Sequence, residues 1–530
     1  MKRILTVIAL ALLLAASCSK QQPLDLERLQ ASKEGLESKS VTLPDAANVA
    51  DPGQDAFSIS FDAERYGVDA GGSVTIGYSL QEAAHLEAAA SQLWKVEFRA
   101  VSDTEGQVVV SAPDPAPAPD IVLTATTADG RRTAVKLPLM VRRPYSEATR
   151  TDIQALAYYA LNAATGTDAN FEKMADAGIN MVTVEQYDDW PRQLDLAAKY
   201  GLKAMLFVNG AAGDYYRNPS SKALDNIINQ SKDHPALFGY QIFDEPRLTD
   251  IKQISFEKTR IEELAPGKPV YVNLHPCSAS AMALGTASYE EYVERLADEC
   301  SLEMISFDEY PVYPGRISPT WYKSLSVVSK IAKATGLPFW GFLASCWINL
   351  EAQTTPREQP TLENMRLQGN TILAYGAQVI QCFTWQSYSG TSYAPIMRSG
   401  EYTQAYDDLK AYLEQMHSRA WVFSGSRVDK VRSLGNMFLQ PWTQELRAED
   451  LPQQISGIKA GSEAIVSFIE NCGNRYVVIV NQDWTGKLNL DIDFTQMVYS
   501  IDICGNFCEQ MPGRHRFTVD EGDMLVIKII

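Results

Sequence analysis

The feature that most constrains this chain is an alternation. Between about residues 151 and 420, eight apolar runs of strand length are each followed by a stretch with helical periodicity. The runs are "ALAYYALN", "NMVTVEQ", "LKAMLFVN", "LFGYQIFDEP", "PVYVNLHP", "EMISFDEYP", "PFWGFLAS" and "QVIQCFTWQ". Between them lie amphipathic stretches such as "NFEKMADAG", "PRQLDLAAKYG" and "TLENMRLQGNTILAYG", several ending in Gly where a helix C-cap belongs. "AYDDLKAYLEQMHSRAW" supplies the eighth helix. Eight strand–helix units over 150–421 predict a closed (β/α)8 TIM barrel. An open doubly wound sheet is the competing arrangement, but no Gly-rich phosphate loop follows the first run.

The flanks read differently. "FSISF", "SVTIGYSL", "WKVEFRAV", "QVVVSAP" and "DIVLTATTADG" are short alternating runs broken by Gly, Pro, Asp and Ser. They predict an N-terminal β-sandwich over 55–145. "AIVSFIE", "YVVIVNQD", "LNLDIDF" and "MLVIKII" predict a second β-sandwich over 422–530. The expected class is therefore multidomain α/β plus all-β, a central barrel between two sandwiches. At the start, Lys2 and Arg3 precede a short apolar core and then Ala15-Ala16-Ser17-Cys18. This predicts a signal peptide over 1–17, and residues 18–54 read as a polar tether.

Charge and cysteine content exclude several functions. The formal net charge is -18 and no Lys/Arg run occurs, which does not suit nucleic acid and is compatible with neutral substrates. The seven cysteines after Cys18 are scattered, with no zinc-ligand spacing among them or with histidines, so no metal and no cofactor is expected. Cys504 and Cys508 flank a turn-like stretch, and a disulfide between them stays open.

Active sites of such barrels sit at the C-terminal strand ends, and strand side chains alternate between lumen and helix layer. A polar residue inside a strand marks the lumen side. Gln241 then carries that side through Phe243 to Glu245, leaving Asp244 with Tyr240 and Ile242. Ser306 points to Asp308 and Tyr310, Thr183 to Glu185, Asn273 to His275, Lys203 to Asn209, and Gln381 to Trp385. Pro246 should push Glu245 toward extended backbone. Acids, an imidazole, an amide and aromatics on one rim suit a carbohydrate, whose C–H faces stack on rings and whose hydroxyls need paired donors and acceptors. Glycosidic cleavage needs a proton donor and a second carboxylate, and a crowded acid cleft raises the pKa of the donor. Glu245 and Asp308 are the expected pair. Asp244, Glu185, Asn209, His275, Tyr310 and Trp385 are the expected binding residues. The same positions have plain structural readings: Trp385 as core, Asp308 bonded to a backbone amide, Glu185 paired with an arginine.

Four resemblances extend this. The run ending in Cys18 resembles a bacterial lipobox, which implies lipidation of Cys18 and anchoring to an outer membrane, at the cell surface or on the periplasmic face. Residues 55–145 resemble the BACON-like sandwich modules of lipoproteins from glycan-degrading bacteria, which implies other glycan-uptake proteins as partners. "HPALFGYQIFDEP" resembles the fourth-strand segment of clan A (β/α)8 glycoside hydrolases. That resemblance implies glycosidase activity on a poly- or oligosaccharide, with Glu245 as acid/base. The chain departs from it in two places: Asp244 stands where that clan has Asn, and "PFWGFLASCW" carries no acid where the clan has its nucleophile. Asp244-Glu245 also resembles the Asp-Glu pairs of substrate-assisted hexosaminidases. A two-carboxylate hydrolase, a substrate-assisted one and a non-catalytic glycan binder all remain open.

Overall fold

The computed structural model describes residues 57–63, 66–69, 71–90, 93–113, 119, 121–142, 153–187, 189–349, 356–435, 437 and 439–529. The expected signal peptide, Cys18 and the tether lie outside the described residues. Two compact units are present, one ending at Pro144 and one beginning at Tyr145.

The first unit is all β. Ile59–Phe61, Ser73–Leu80, Glu105–Ser111 and Lys95–Ala100 form one sheet in that order, and Ala84–Ala89, Val122–Thr127 and Arg132–Lys136 form another. Along Glu105–Ser111 the alternation is direct: Val108 and Val110 are buried and Gln107 is exposed. Val68, Ile76, Trp94, Val108, Val110 and Leu123 fill the core. A parallel pair, Tyr66–Asp69 with Leu139–Arg142, completes the unit.

In the second unit, eight parallel strands close into a barrel in chain order: β1 (Gln154–Tyr158), β2 (Met181–Glu185), β3 (Lys203–Phe207), β4 (Leu237–Asp244), β5 (Val270–Leu274), β6 (Ile305–Phe307), β7 (Phe339–Ala344) and β8 (Ala377–Phe383). β8 pairs with β1, so no edge remains. The expected (β/α)8 barrel is therefore present, and the glycines expected as helix stops take positive φ at Gly178, Gly201 and Gly376. Thr167, Ser288, Thr361 and Thr403 cap the helices that follow them.

The lumen is filled by Leu156, Tyr158, Met181, Met205, Phe207, Tyr271, Trp340, Phe342 and Val379. Above this apolar layer lies a polar one. Gln241 Nε2 donates to Tyr158 Oη at 2.9 Å, Tyr271 Oη donates to Gln381 Oε1 at 2.8 Å, and Gln381 Nε2 donates to Ser306 Oγ at 2.8 Å. Gln241, Ser306 and Gln381 are thus lumen residues, as their polarity within apolar strands predicts.

The C-terminal region builds a seven-stranded sheet around Ala464–Asn471, Asn474–Asn481 and Met524–Ile529, faced by a three-stranded sheet of Ile455–Ala460, Leu488–Phe494 and Gly513–Val519. Val466, Val477, Ile479, Leu490, Ile492 and Ile527 share their core. This sandwich belongs to the barrel's own unit. Its attachment is polar and buried. Gln482 Nε2 donates to Thr371 Oγ1 at 2.9 Å, and Ser467 Oγ donates to the Ala374 carbonyl at 2.6 Å. Gly522 approaches the helix Leu362–Ala374 so closely that a Cβ would lie 2.1 Å from the Glu363 carbonyl oxygen. All seven described cysteines are free, Cys504 and Cys508 included.

Arg419, on the helix Gln404–Phe423, is 1% exposed and bonds Asp523 Oδ1 at 3.0 Å and the Met524 carbonyl at 3.3 Å. Removing one partner leaves the other charge buried and uncompensated. Asp523→Ala should therefore destabilise the second unit by about 3–5 kcal/mol, and Arg419→Met with Asp523→Leu should restore part of that loss. Denaturant midpoints of the three proteins check this.

Candidate active site

The barrel mouth is shaped first by an irregularity in β4. Gln241 lies opposite Tyr271 of β5, but Phe243 lies opposite Val272 and Asp244 opposite Asn273. One extra residue on β4 is accommodated there, a β-bulge. Beyond it the alternation is inverted. Asp244, not Glu245, continues the lumen side begun by Gln241, so the expected outward placement of Asp244 is corrected. Gly239, earlier in β4, accommodates a second close approach, since a Cβ there would lie 2.3 Å from the Pro269 carbonyl oxygen.

Asn273 organises what the bulge delivers. It is 2% exposed, at the end of β5. Its Nδ2 donates to Asp244 Oδ1 at 3.1 Å and to Asp308 Oδ1 at 2.8 Å, while its Oδ1 accepts from Ser306 Oγ at 3.0 Å. Asp308, just beyond β6, thus faces the lumen as Ser306 predicts. Its neighbour Glu309 points the other way. Glu309 is buried and accepts from Thr320 Oγ1 at 2.6 Å and Ser324 Oγ at 2.7 Å, which ties the β6 exit to the helix Pro319–Thr335.

Glu245 is also at the mouth, but by another route. The chain turns sharply there, with φ +48°, so Pro246 does not hold it extended as expected. Such a backbone state costs on the order of 1–3 kcal/mol in a non-glycine residue and persists only when neighbours enforce it. Here the Glu245 N–H donates to the Asn273 carbonyl at 2.8 Å. Tyr292 Oη donates to the Pro246 carbonyl at 2.7 Å and accepts from the His275 N–H at 3.0 Å, clamping the β4 and β5 exits together. The turn brings Glu245 Oε1 to 3.3 Å from His275 Nδ1, with the Glu245 side chain 44% exposed. His275 is thereby brought to the mouth beside Glu245.

Rings line the opposite side. Tyr159 lies 5.2 Å from Tyr388 and 6.2 Å from Phe383, and Tyr310 lies 4.7 Å from Phe383. Glu185, at the end of β2, is near enough to act electrostatically on Tyr159. Asn209 is exposed at the start of the helix Asn209–Arg217, where its Oδ1 accepts from the Gly210 N–H. Trp385 is not at the mouth. It is fully buried against Tyr406, because the strand ends at Phe383 and the alternation counted from Gln381 no longer applies. Tyr159, Tyr292 and Tyr388 escaped sequence reasoning. Asn273, an amide inside an apolar strand, served there only to mark the lumen side.

The electrostatics follow from crowding. Burial first, then the charges of Glu245 and Asp244, hold the Asp308 carboxyl well above the usual carboxylate range. Water reaches Asp244 through the open mouth, yet packed protein surrounds its other sides, and that desolvation pushes it up to about 6. The Asn273 amide acts in the opposite sense on both. A carboxyl held above its ordinary range by such crowding can carry a proton near neutral pH, as an acid catalyst requires.

No family model matches this chain, and no curated protein does. Solved structures do. A β-galactosidase from the psychrophilic Marinomonas ef1 is 12% identical over 50% of this chain and 60% of its own, with TM-score 0.39. A GH2 β-galacturonidase from Eisenbergiella tayi is 12% identical over 64% and 69%, with TM-score 0.37. A GH99 endo-α-mannosidase from Bacteroides thetaiotaomicron is 13% identical over 48% and 80%, with TM-score 0.35. This chain thus spans about three fifths of the Marinomonas enzyme's length.

Raised carboxyl pKa values make folding take up protons. The stabilising contribution is complete below the ordinary 3.8 and is lost as pH rises, through about 6 for Asp244 and through the raised pKa of Asp308 for that group. Asp244→Asn and Asp308→Asn should therefore raise Tm relative to wild type at pH 8 and much less at pH 4. Thermal scans at the two pH values check this, and equal differences at both would contradict it.

Proposed function

We propose that this barrel hydrolyses glycosidic bonds of an oligo- or polysaccharide. The observation that carries the reading is the shared amide. One Asn273 nitrogen donates to Asp244 at 3.1 Å and to Asp308 at 2.8 Å, so the two accepting oxygens are no farther apart than the sum of those lengths. This bound on one oxygen pair is compatible with the roughly 5–5.5 Å between the carboxyl groups of retaining glycosidases. In this reading Asp308 holds the proton and gives it to the leaving glycosidic oxygen. Asp244, ionised above about pH 6, attacks the anomeric carbon and forms a glycosyl ester. Asp308, now a carboxylate, takes a proton from a water that cleaves the ester, and both residues return to their starting states. Glu245, beside His275, binds sugar hydroxyls, so the donor role expected of it passes to Asp308. The rings of Tyr159, Tyr310 and Tyr388 supply the stacking faces.

The bulge favours one second reading. Because Asp244 and Glu245 both reach the mouth, a substrate's own acetamido group is a candidate nucleophile, oriented by Asp244 with Glu245 as acid. Asp308→Asn separates the two. In the two-carboxylate mechanism it lowers kcat by about 10²–10⁴-fold with KM little changed, whereas the substrate-assisted route spares it. Wild-type kcat/KM should also fall as pH drops through about 6. Full turnover by both Asp308→Asn and Asp244→Asn would remove the Asp pair from catalysis. Binding of glycans without turnover by wild type would favour a glycan-binding barrel, consistent with the acid-free β7.

We further propose lipid anchoring through Cys18 at a bacterial outer membrane. Labelling cells with a radioactive fatty acid should mark wild type and not Cys18→Ala.

A further inference from the structure

The mouth is one-sided in charge. Asp244, Glu245 and Asp308 converge there, and the basic group against them is His275, 3.3 Å from Glu245. Among the described residues, no lysine or arginine forms an ion pair with any of these three acids. Arg357 comes near through Tyr310, but its Nε donates to the Tyr310 carbonyl and its guanidinium lies 4.0 Å from the Tyr313 ring centroid. A site that accepts a carboxylated or sulfated sugar needs a fixed cation or several free donors aimed at the anion. Here the Asn273 amide is already engaged by the two aspartates.

A second observation says what the mouth does accept. The Tyr310 hydroxyl is buried beside Asp308 and acts on that carboxyl as a hydrogen-bond donor, which leaves its oxygen to accept from a ligand. Its ring stacks near Phe383, and Tyr159 and Tyr388 continue that wall. A neutral sugar fits both halves. Its C–H face meets the rings, and its hydroxyls donate to the carboxylates and to the Tyr310 oxygen.

We infer that the sugar residue bound beside Asp244, Glu245 and Asp308 is a neutral one, a hexose or N-acetylhexosamine without carboxylate or sulfate. This rests on the hydrolase reading above. An anionic substituent placed here would face like charges in a partly desolvated mouth, where among the described residues no lysine or arginine pairs with the three acids.

The test uses the full chain and a panel of aryl glycosides and oligosaccharides, in matched pairs of neutral sugar and corresponding uronide or sulfated sugar. Neutral members should exceed their anionic partners by at least about 10²-fold in kcat/KM. The gap should narrow as salt is raised from 0.05 to about 0.5 M, because screening weakens the repulsion. Binding to Asp308→Asn gives the second measurement. Neutral oligosaccharides should bind and uronic ones should not, and the further change Glu245→Gln should reduce the discrimination. Tyr310→Phe should weaken binding of the neutral sugar while leaving the uronide unaffected. A uronide turned over as well as its neutral partner, in a reaction abolished by Asp308→Asn, would overturn this inference and leave the hydrolase reading standing. Failure of every glycoside to bind or react would overturn both.

Discussion

Asn273 is the hinge on which the mouth depends. One amide nitrogen satisfies two carboxyls that would otherwise repel each other, and its oxygen is fixed in turn by Ser306. Ser306 belongs to the polar layer with Tyr271 and Gln381, which rests on the apolar lumen below. The chain of support therefore runs from barrel closure to packed rings, to a hydrogen-bonded layer, to the acids. Each tier positions the next, because buried polar groups need partners and find them only in fixed places. The opposing effects on the aspartates show how the balance is set. Desolvation and mutual charge raise them while the amide lowers them, and desolvation prevails.

The second support is backbone. Tyr292, fully buried on the helix Tyr289–Glu299, bonds both the Pro246 carbonyl and the His275 N–H. It joins two strand exits that carry three of the mouth's functional side chains. This explains how a left-handed Glu245 is tolerated before a proline. The strain sits where two neighbouring strands and a helix all constrain the same few atoms.

Most of the barrel was legible in the sequence. Strand-length apolar runs alternating with Gly-terminated helices leave few other topologies, and polar residues inside those runs identified the lumen side correctly for Asn273, Ser306 and Gln381. The reading failed where a strand stops being regular. In β4 the irregularity falls across Gln241, Ile242 and Phe243, and the last two are apolar on whichever side they face, so nothing in their chemistry announces a bulge. Beyond β8 the count from Gln381 to Trp385 crossed the strand's end at Phe383. Tyr292 and Tyr159 were invisible for another reason. Their roles are set by distant segments, through backbone atoms for Tyr292 and through the Tyr388 and Phe383 rings for Tyr159, and local periodicity carries no information about those.

The bulge gives the consecutive acids after β4 a particular meaning. Neighbours in a strand project to opposite sides, so a chain ending in a single acid would be blinded by the insertion or loss of one residue. With Asp244 and Glu245 adjacent, either phase of the strand delivers a carboxyl to the interior. The doubled acid makes this barrel tolerant of frame: a slip in β4 would exchange which acid faces inward, and the mouth would keep its charge.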